Sequence, residues 1–160
     1  MIETAKKIKS LADLLQEVSE WKQQGNRIVF TNGCFDIVHL GHIDYLQKSR
    51  NLGDKMIVGV NSDASVRRLK GDTRPVVDEY ARQRMMASFE FVDAVVLFDE
   101  NTPLQLIQNI LPDILVKGND YTIENIVGSD IVLANGGKVE TIELVPNYST
   151  TNLIKLIKNL

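Results

Sequence analysis

Apolar positions along the chain alternate between two periods. After Ser10, residues Leu11, Leu14, Leu15, Val18 and Trp21 recur at helical spacing, which predicts a helix that Ser10 can cap and Gly25 can end. "RIVFTNG" follows as a short β-rich run that stops at a turn. "HIDYLQKSRNLG" then reads as a helix closed by Gly53, "KMIVGVN" as a buried strand and "SDASVRRLKG" as a short helix or helical loop. "DEYARQRMMASFEFV" is predicted helical and "AVVLF" a strand. "PLQLIQNIL" is predicted helical with Pro103 near its first turn, where an amide hydrogen has no helical partner to lose. The pattern closes with the strand "DILVKG", the helix "GSDIVLANGG", the strand "KVETIEL" and the helix "TTNLIKLIKNL".

Strand and helix alternate throughout, and several strands are nearly continuous apolar runs that need cover on both faces. The predicted class is therefore α/β: a Rossmann-like, doubly wound parallel sheet of about five strands with helices on both faces. No repeat, linker or low-complexity segment interrupts it. Residues 1–160 read as a single domain, with an N-terminal helix within 1–25 and an α/β core carrying a C-terminal helix over 26–160. Ligands of such sheets bind at the carboxyl ends of strands, where strand order reverses. The informative loops are then "TNGCFD", "NSDAS", "FDENT", "VKGNDY" and "VPNYST".

Composition narrows the partners. With 160 residues, 44% hydrophobic and 24% charged, the chain can bury one core and is too apolar for disorder. A formal net charge of −3 argues against a nucleic-acid partner, and the run Arg67-Arg68-Leu69-Lys70 is too short to reverse that. Cys34 is the single cysteine, which excludes an intramolecular disulfide and fits a reducing compartment. No apolar run is long enough to span a bilayer, and "MIETAKKIKS" lacks the continuous apolar segment of a signal peptide. The expectation is a cytoplasmic protein with no membrane partner.

Both histidines of the chain fall in "FTNGCFDIVHLGH", Phe30 to His42. Gly33 lets the backbone turn sharply and a ligand come close. The helix starting near His39 offers free amides and a positive dipole end, which favour phosphate. His39 and His42 share one face of its first turn, and Gly41 between them keeps the approach open. Two imidazoles on such backbone can hold phosphate oxygens that gain charge in a transition state. One alternative makes both histidines polar cap residues of a surface helix. Another is zinc on Cys34, His39 and His42, a set without a fourth ligand at the usual spacing. A dinucleotide-binding oxidoreductase is a third, but the loop lacks G-x-G-x-x-G.

"TNGCFDIVHLGH" resembles the signature of the HxGH nucleotidyltransferase superfamily, with His39-Leu40-Gly41-His42 as the tetrapeptide. "NSDASVRRLKGDTRPV", "RQRMM", "LPDILVKGNDY" and "STTNLIK" follow in the family's order, and together they look most like the adenylyltransferase domain of bacterial ADP-heptose synthases. That resemblance implies a nucleotidyltransferase domain joining AMP from ATP to D-glycero-β-D-manno-heptose 1-phosphate, with release of pyrophosphate. The ADP-heptose would supply lipopolysaccharide inner core or other surface glycans. It implies catalytic roles for His39, His42 and Lys70, with Arg68 as a weaker second candidate. It implies nucleotide contacts from Thr31, Asn32, Gly33, Cys34, Phe35 and Gly41, from Lys117, Gly118 and Asp120, and from Ser149, Thr150 and Thr151. Arg84 is expected near the anionic substrates or pinning the site loops, with Arg82 its solvent-facing neighbour.

Mg²⁺ is expected on the ATP phosphates rather than in a protein metal site, and Asp36 is read as a turn or helix-start residue. Cys34 is expected to be a small residue beside the nucleotide, and Met85 and Met86 to be core. Many relatives carry a fused sugar-kinase domain that 160 residues cannot hold, so the expected partner in the pathway is a separate sugar kinase. A homodimer stays open. Two other functions are carried forward. One is a cytidylyltransferase acting on glycerol 3-phosphate, although "VPNY" stands before "STT" where those enzymes carry an arginine and a glycine. The other is a nucleotide-binding module without catalysis.

Overall fold

The computed structural model describes residues 3–160; Met1 and Ile2, part of the predicted domain, lie outside the described residues. After a 3₁₀ turn at Thr4–Lys7 come β1 (Ile8–Lys9), α1 (Leu11–Gln23), β2 (Ile28–Gly33), α2 (Leu40–Arg50) and β3 (Lys55–Asn61). The chain continues through α3 (Asp63–Lys70), α4 (Glu79–Ser88), β4 (Ala94–Phe98), α5 (Leu104–Ile110) and β5 (Ile114–Gly118). A 3₁₀ turn at Ile123–Asn125, α6 (Ser129–Ala134), β6 (Lys138–Ile142) and α7 (Thr150–Lys158) complete it.

The ends of α1 follow from its sequence. Ser10 Oγ accepts from the Asp13 amide at 3.1 Å, a cap worth about 1 kcal/mol. At the other end Gly25 takes φ +80°. Its amide donates to Lys22 O while that of Asn26 donates to Trp21 O, each at 3.0 Å, the paired bonds of a Schellman stop.

The strands of the described residues form one parallel sheet in the order β1-β4-β3-β2-β5-β6. Six strands replace the expected five or so. The addition is β1, whose Ile8 and Lys9 pair with Val95 and Val96. Two residues are too few to show a period, and only the open edge of β4 makes them a strand. Along β2, Ile28 and Phe30 pack into one core layer with α1, α5 and α6, while Val29 packs into the other with α2 and α4. Alternation on a sheet covered on both faces is the doubly wound arrangement. The helix predicted over "DEYARQRMMASFEFV" stops at Ser88. Phe89 turns extended (φ −70°, ψ 133°) and its ring stacks on Phe91 with centroids 5.1 Å apart.

From β2 the chain steps outward to β3 and β4, then crosses back to β5 and β6 on the other side. Strand order therefore reverses between β2 and β5, and a crevice is expected at their carboxyl ends. No helix among the described residues is long and apolar enough to cross a membrane.

Candidate active site

A cleft of about 640 Å³ opens there, and all five informative loops line it. Its floor is the β2–α2 loop. Phe35 in this loop has φ +49°, a left-handed conformation that costs a bulky residue about 1–3 kcal/mol. Gly33 ends β2 without a positive φ, so the turn is made at Phe35; a Cβ on Gly33 would press on the Phe35 ring at 3.1 Å. His39 is the N-cap of α2, and its ring stacks on His42 with centroids 3.9 Å apart and planes 22° apart. Phe35 meets His42 edge-on at 5.4 Å. A Cβ on Gly41 would lie 3.0 Å from the His39 ring and 3.3 Å from Tyr148 Cβ, which explains the glycine between the histidines.

Neither ring has a hydrogen-bond partner among the described residues, and both Nδ1 atoms are buried. Burial lowers the pKa of His39. Burial, and then the charge of His39, pushes His42 down to about 4. Both rings are therefore mainly neutral at pH 7.

Two helices aim their N-termini into the cleft, α2 and α7. The three hydroxyls at the start of α7 divide the work. Ser149 caps the Asn152 amide at 3.1 Å, Thr150 Oγ1 donates to Ile37 O at 3.3 Å, and exposed Thr151 lines the cleft. From β5, Lys117 donates to the side-chain oxygen of Asn32 and, at 3.3 Å, to its carbonyl. Burial holds its pKa down to about 8, against the pull of Asp120 and Cys34. A Cβ on Gly118 would lie 2.6 Å from Asp120 Oδ1, and both residues line the cleft. Lys70, the last residue of α3, is exposed and lines the opposite wall. Cys34 is half-buried on the floor; burial raises its pKa against the pull of Lys70, Arg82 and Arg74, so the thiol stays protonated.

Two expected contacts are corrected. Thr31 has no solvent exposure; its hydroxyl lies 2.7 Å from Tyr45 Oη and 3.0 Å from Val116 O, beneath the site. It shares the α2 face of β2 with Val29 and lies deeper in the strand than Asn32 and Gly33, which reach the cleft at its carboxyl end. Arg84 is half-buried, does not line the cleft and has no polar partner among the described residues. Its neighbour Arg82, expected to face solvent, is 0% exposed. The Arg82 guanidinium donates to Cys34 O at 2.6 Å, Val77 O at 2.9 Å and Asp63 Oδ1 at 2.8 Å. Residues two apart on a helix point about 200° apart, so only one of this pair can face the site loops.

Asp36 anchors the segment that leads into α4. Its carboxylate, 1% exposed, accepts from Arg74 Nε at 2.5 Å and from the amides of Val76 and Val77 at 2.8 and 2.9 Å. Burial alone would raise its pKa, but the Val77 and Val76 amides and Arg74 outweigh it and hold it below the usual range. Arg68 lies outside the cleft lining and donates from Nε to Asn101 Oδ1 at 2.8 Å. Met86 is buried core, whereas Met85 is exposed. Asn61, Arg74, Asn101, Thr102, Tyr121 and Tyr148 also line the cleft. All but Arg74 lie in the five loops selected by the fold; Asn61, Arg74 and Tyr121 fall inside the family-like segments without being assigned a role there.

No group of three or more His, Cys, Asp or Glu among the described residues is placed to hold a metal ion. Both oxygens of Asp36 are taken, which leaves Asp120 as the carboxylate of the cleft wall.

A family model described as cytidylyltransferase-like matches residues 30–155. The chain is 55% identical over 147 residues to the bifunctional protein HldE of Rhodopseudomonas palustris (strain BisA53), covering 92% of this chain and 30% of that protein. The protein of the same name from Citrifermentans bemidjiense is 52% identical over 151 residues, covering 94% and 31%. The chain thus spans about a third of the length of these relatives. Among solved structures, the lipopolysaccharide core biosynthesis protein from Thermoplasma volcanium GSS1 matches with a TM-score of 0.60 at 30% identity, covering 78% of this chain and 100% of that one. Pantoate-beta-alanine ligase from Francisella tularensis shares the fold, with a TM-score of 0.58 at 14% identity over 94% of this chain and 76% of its own.

Proposed function

The chain belongs to the cytidylyltransferase-like family, and on that premise we propose that it transfers AMP from ATP to D-glycero-β-D-manno-heptose 1-phosphate. The observation that carries the reading is the stacked, neutral histidine pair at the N-terminus of α2, facing a cleft that a second helix N-terminus also enters. The identity to proteins named HldE, above 50% in both relatives cited, supports the heptose branch. The ATP requirement puts the reaction in the cytoplasm, with a sugar kinase supplying the 1-phosphate.

A sugar 1-phosphate is already largely dianionic near neutral pH, with a second pKa of about 6 by analogy with phosphorylated side chains. It needs alignment more than a general base. Its oxygen attacks the α-phosphorus, the new P–O–P bridge forms, and the bond to the β-phosphate oxygen breaks as pyrophosphate leaves. His39 and His42 donate to the oxygens that gain charge; with both Nδ1 atoms unpartnered, the ligand decides which nitrogen carries the proton. Lys70, on an exposed helix end, follows charge onto the leaving group. Lys117, the α2 amides and the α7 amides with Thr151 hold the remaining phosphate oxygens. The aromatic and aliphatic wall around Tyr121 and Tyr148 takes the adenine. Mg²⁺ would be carried on the ATP phosphates, where it would screen their charge.

The test is pyrophosphate release with Mg²⁺ across ATP, CTP and GTP, each with heptose 1-phosphate or glycerol 3-phosphate. Release with ATP and heptose 1-phosphate alone is expected. His39→Ala and His42→Ala should each lower kcat by about 10²–10³, the loss seen for an oxyanion donor. Near-wild-type turnover in either variant removes that residue's role. The family model's description makes cytidylyl transfer the second reading, and release with CTP and glycerol 3-phosphate would select it. Nucleotide binding with silence in every pairing would favour a module without catalysis.

A further inference from the structure

The two ends of the cleft differ in chemistry. Toward β5 and β6 the wall carries the aromatic and aliphatic side chains of Tyr121, Ile126, Val127, Leu144 and Tyr148 beside Lys117 and Asp120. Toward β3 and β4 it carries the neutral polar side chains of Asn61, Asn101 and Thr102 beside the cations Lys70 and Arg74. The product of the proposed reaction is a diphosphate with a nucleoside at one end and a sugar at the other. With its diphosphate over the histidine pair and its base on the apolar wall, its sugar falls at the β3/β4 end.

The polar groups at that end are held in place. Asn61 is 3% exposed, and its Nδ2 donates to Ser65 Oγ at 3.0 Å. Its Oδ1 meets only the Cys34 thiol, at 4.0 Å, a weak donor. A buried carbonyl oxygen on the cleft wall thus lacks a strong partner. Arg68 occupies Asn101 Oδ1, which turns the Asn101 amide so that its NH₂ is free to donate. Thr102 adds a hydroxyl with no hydrogen bond among the described residues. The loop carrying these residues is tied to α3 and its N-cap: Ser65 Oγ donates to Glu100 O at 3.0 Å, the Ser62 amide to Phe98 O at 2.8 Å, and Arg68 to Asp99 O. One acceptor, one donor and one hydroxyl, all uncharged and the first two oriented by hydrogen bonds, match a polyol better than an anion.

We propose that Asn61, Asn101 and Thr102 form the subsite for the acceptor's sugar ring and read its hydroxyls, with Arg68 as the positioning residue that orients Asn101. The subsite rests on the nucleotidyl-transfer reading and assigns acceptor selectivity to the β4–α5 loop, while Arg74 lies beside the acceptor's phosphate.

The experiment titrates heptose 1-phosphate calorimetrically into protein loaded with Mg²⁺ and an ATP analogue whose α,β-bridging oxygen is replaced by methylene, with MgATP turnover measured in parallel. Asn101 and Thr102 are exposed, so Asn101→Ala and Thr102→Val keep the fold. Each should raise Kd and KM for the sugar phosphate about fivefold, and the double variant roughly twentyfold, as expected for loss of one and two neutral hydrogen bonds. Analogue affinity and KM for ATP should not move. Arg68→Ala should shift the acceptor KM in the same direction without shifting that of ATP, and Arg68→Lys should recover part of the loss. Wild-type acceptor KM in the double variant, with turnover intact, overturns the subsite and leaves the activity standing. If the wild type uses only CTP and glycerol 3-phosphate, the activity is replaced, and an unchanged KM for that acceptor in the double variant overturns the subsite. Absence of binding by either acceptor to the wild type overturns both.

Discussion

Arg82→Met should cost about 3 kcal/mol of folding stability. The arginine has no solvent exposure, and methionine replaces most of its aliphatic stem, so the loss comes from the guanidinium's partners. Cys34 O and Val77 O, now bonded at 2.6 and 2.9 Å, would lose their donor, at about 1–1.5 kcal/mol each for a buried acceptor left unsatisfied. Asp63, the ion-pair partner, is a quarter exposed, so water recovers most of its share and it adds under ~1 kcal/mol. Against a typical total of about 5–15 kcal/mol this is a large fraction. Arg82→Lys should lose about 2 kcal/mol, because a single ammonium cannot reach three acceptors set out for a fork. Urea unfolding with a common m-value measures both variants, and the KM for ATP should rise in each because Cys34 belongs to the cleft floor. A loss below about 1 kcal/mol with an unchanged KM would refute the reasoning, since the freed carbonyls would then have found water.

Three more outcomes follow from the site. Because burial, with the charge of His39 behind it, pushes His42 to about 4, the unfolded chain, with an ordinary histidine near ~6.5, takes the proton first. The stability linked to neutral His42 is complete above that value and is lost as pH falls toward about 4; midpoints for His42→Asn across this window should fall less steeply, and parallel profiles would contradict the assignment. Lys117→Met removes an ammonium whose pKa burial already holds down to about 8, so the thermal midpoint should hold or rise. Affinity for a nucleotide analogue should drop roughly tenfold or more for one lost charge-assisted bond, and unchanged affinity would dismiss Lys117 as a ligand. In Gly41→Ala the new Cβ lies 3.0 Å from the His39 ring. The gain of about 1 kcal/mol in helix propensity offsets strain, so kcat should fall by roughly 10–100-fold at a nearly unchanged midpoint; retained kcat would mean that ring placement is unimportant.

Strands β2 to β5 were legible because each is largely an apolar run ended by turn chemistry, and the caps of α1 because Ser10 and Gly25 have few other uses at those positions. The loops lining the cleft followed from strand order alone. What was not legible is phase. Thr31 and Asn32 are adjacent in one strand, yet one lies under the sheet's helical cover and the other on the cleft. Arg82 and Arg84 are two apart in one helix, and the motif containing both does not say which faces inward. A signal was present: Met86 stands four residues after Arg82, so a buried Met86 carries Arg82 to the same face. Motif resemblance assigns a segment to a site, whereas the direction of the core assigns the side chain. β1 shows the same limit for pairing, since its two residues are defined by the partner strand.

The charges of the cleft are arranged to respond to a ligand. Asp36 is neutralised by Arg74 and two amides, the histidines are neutral, and Lys117 already has a depressed pKa. Three features look unfavourable in the free protein: the stacked rings with unpartnered Nδ1 atoms, the left-handed Phe35, and the partly buried Lys117 ammonium that ties β5 to Asn32. On the proposed reading, a polyphosphate entering this space would supply acceptors to the rings and further negative charge to Lys117, and would draw protons toward the histidines. Interactions that are poor without ligand and good as charge builds on the transferred phosphate lower a transition state more than a ground state. Residual instability at this loop is thus the expected companion of a site whose electrostatics are completed by its substrate.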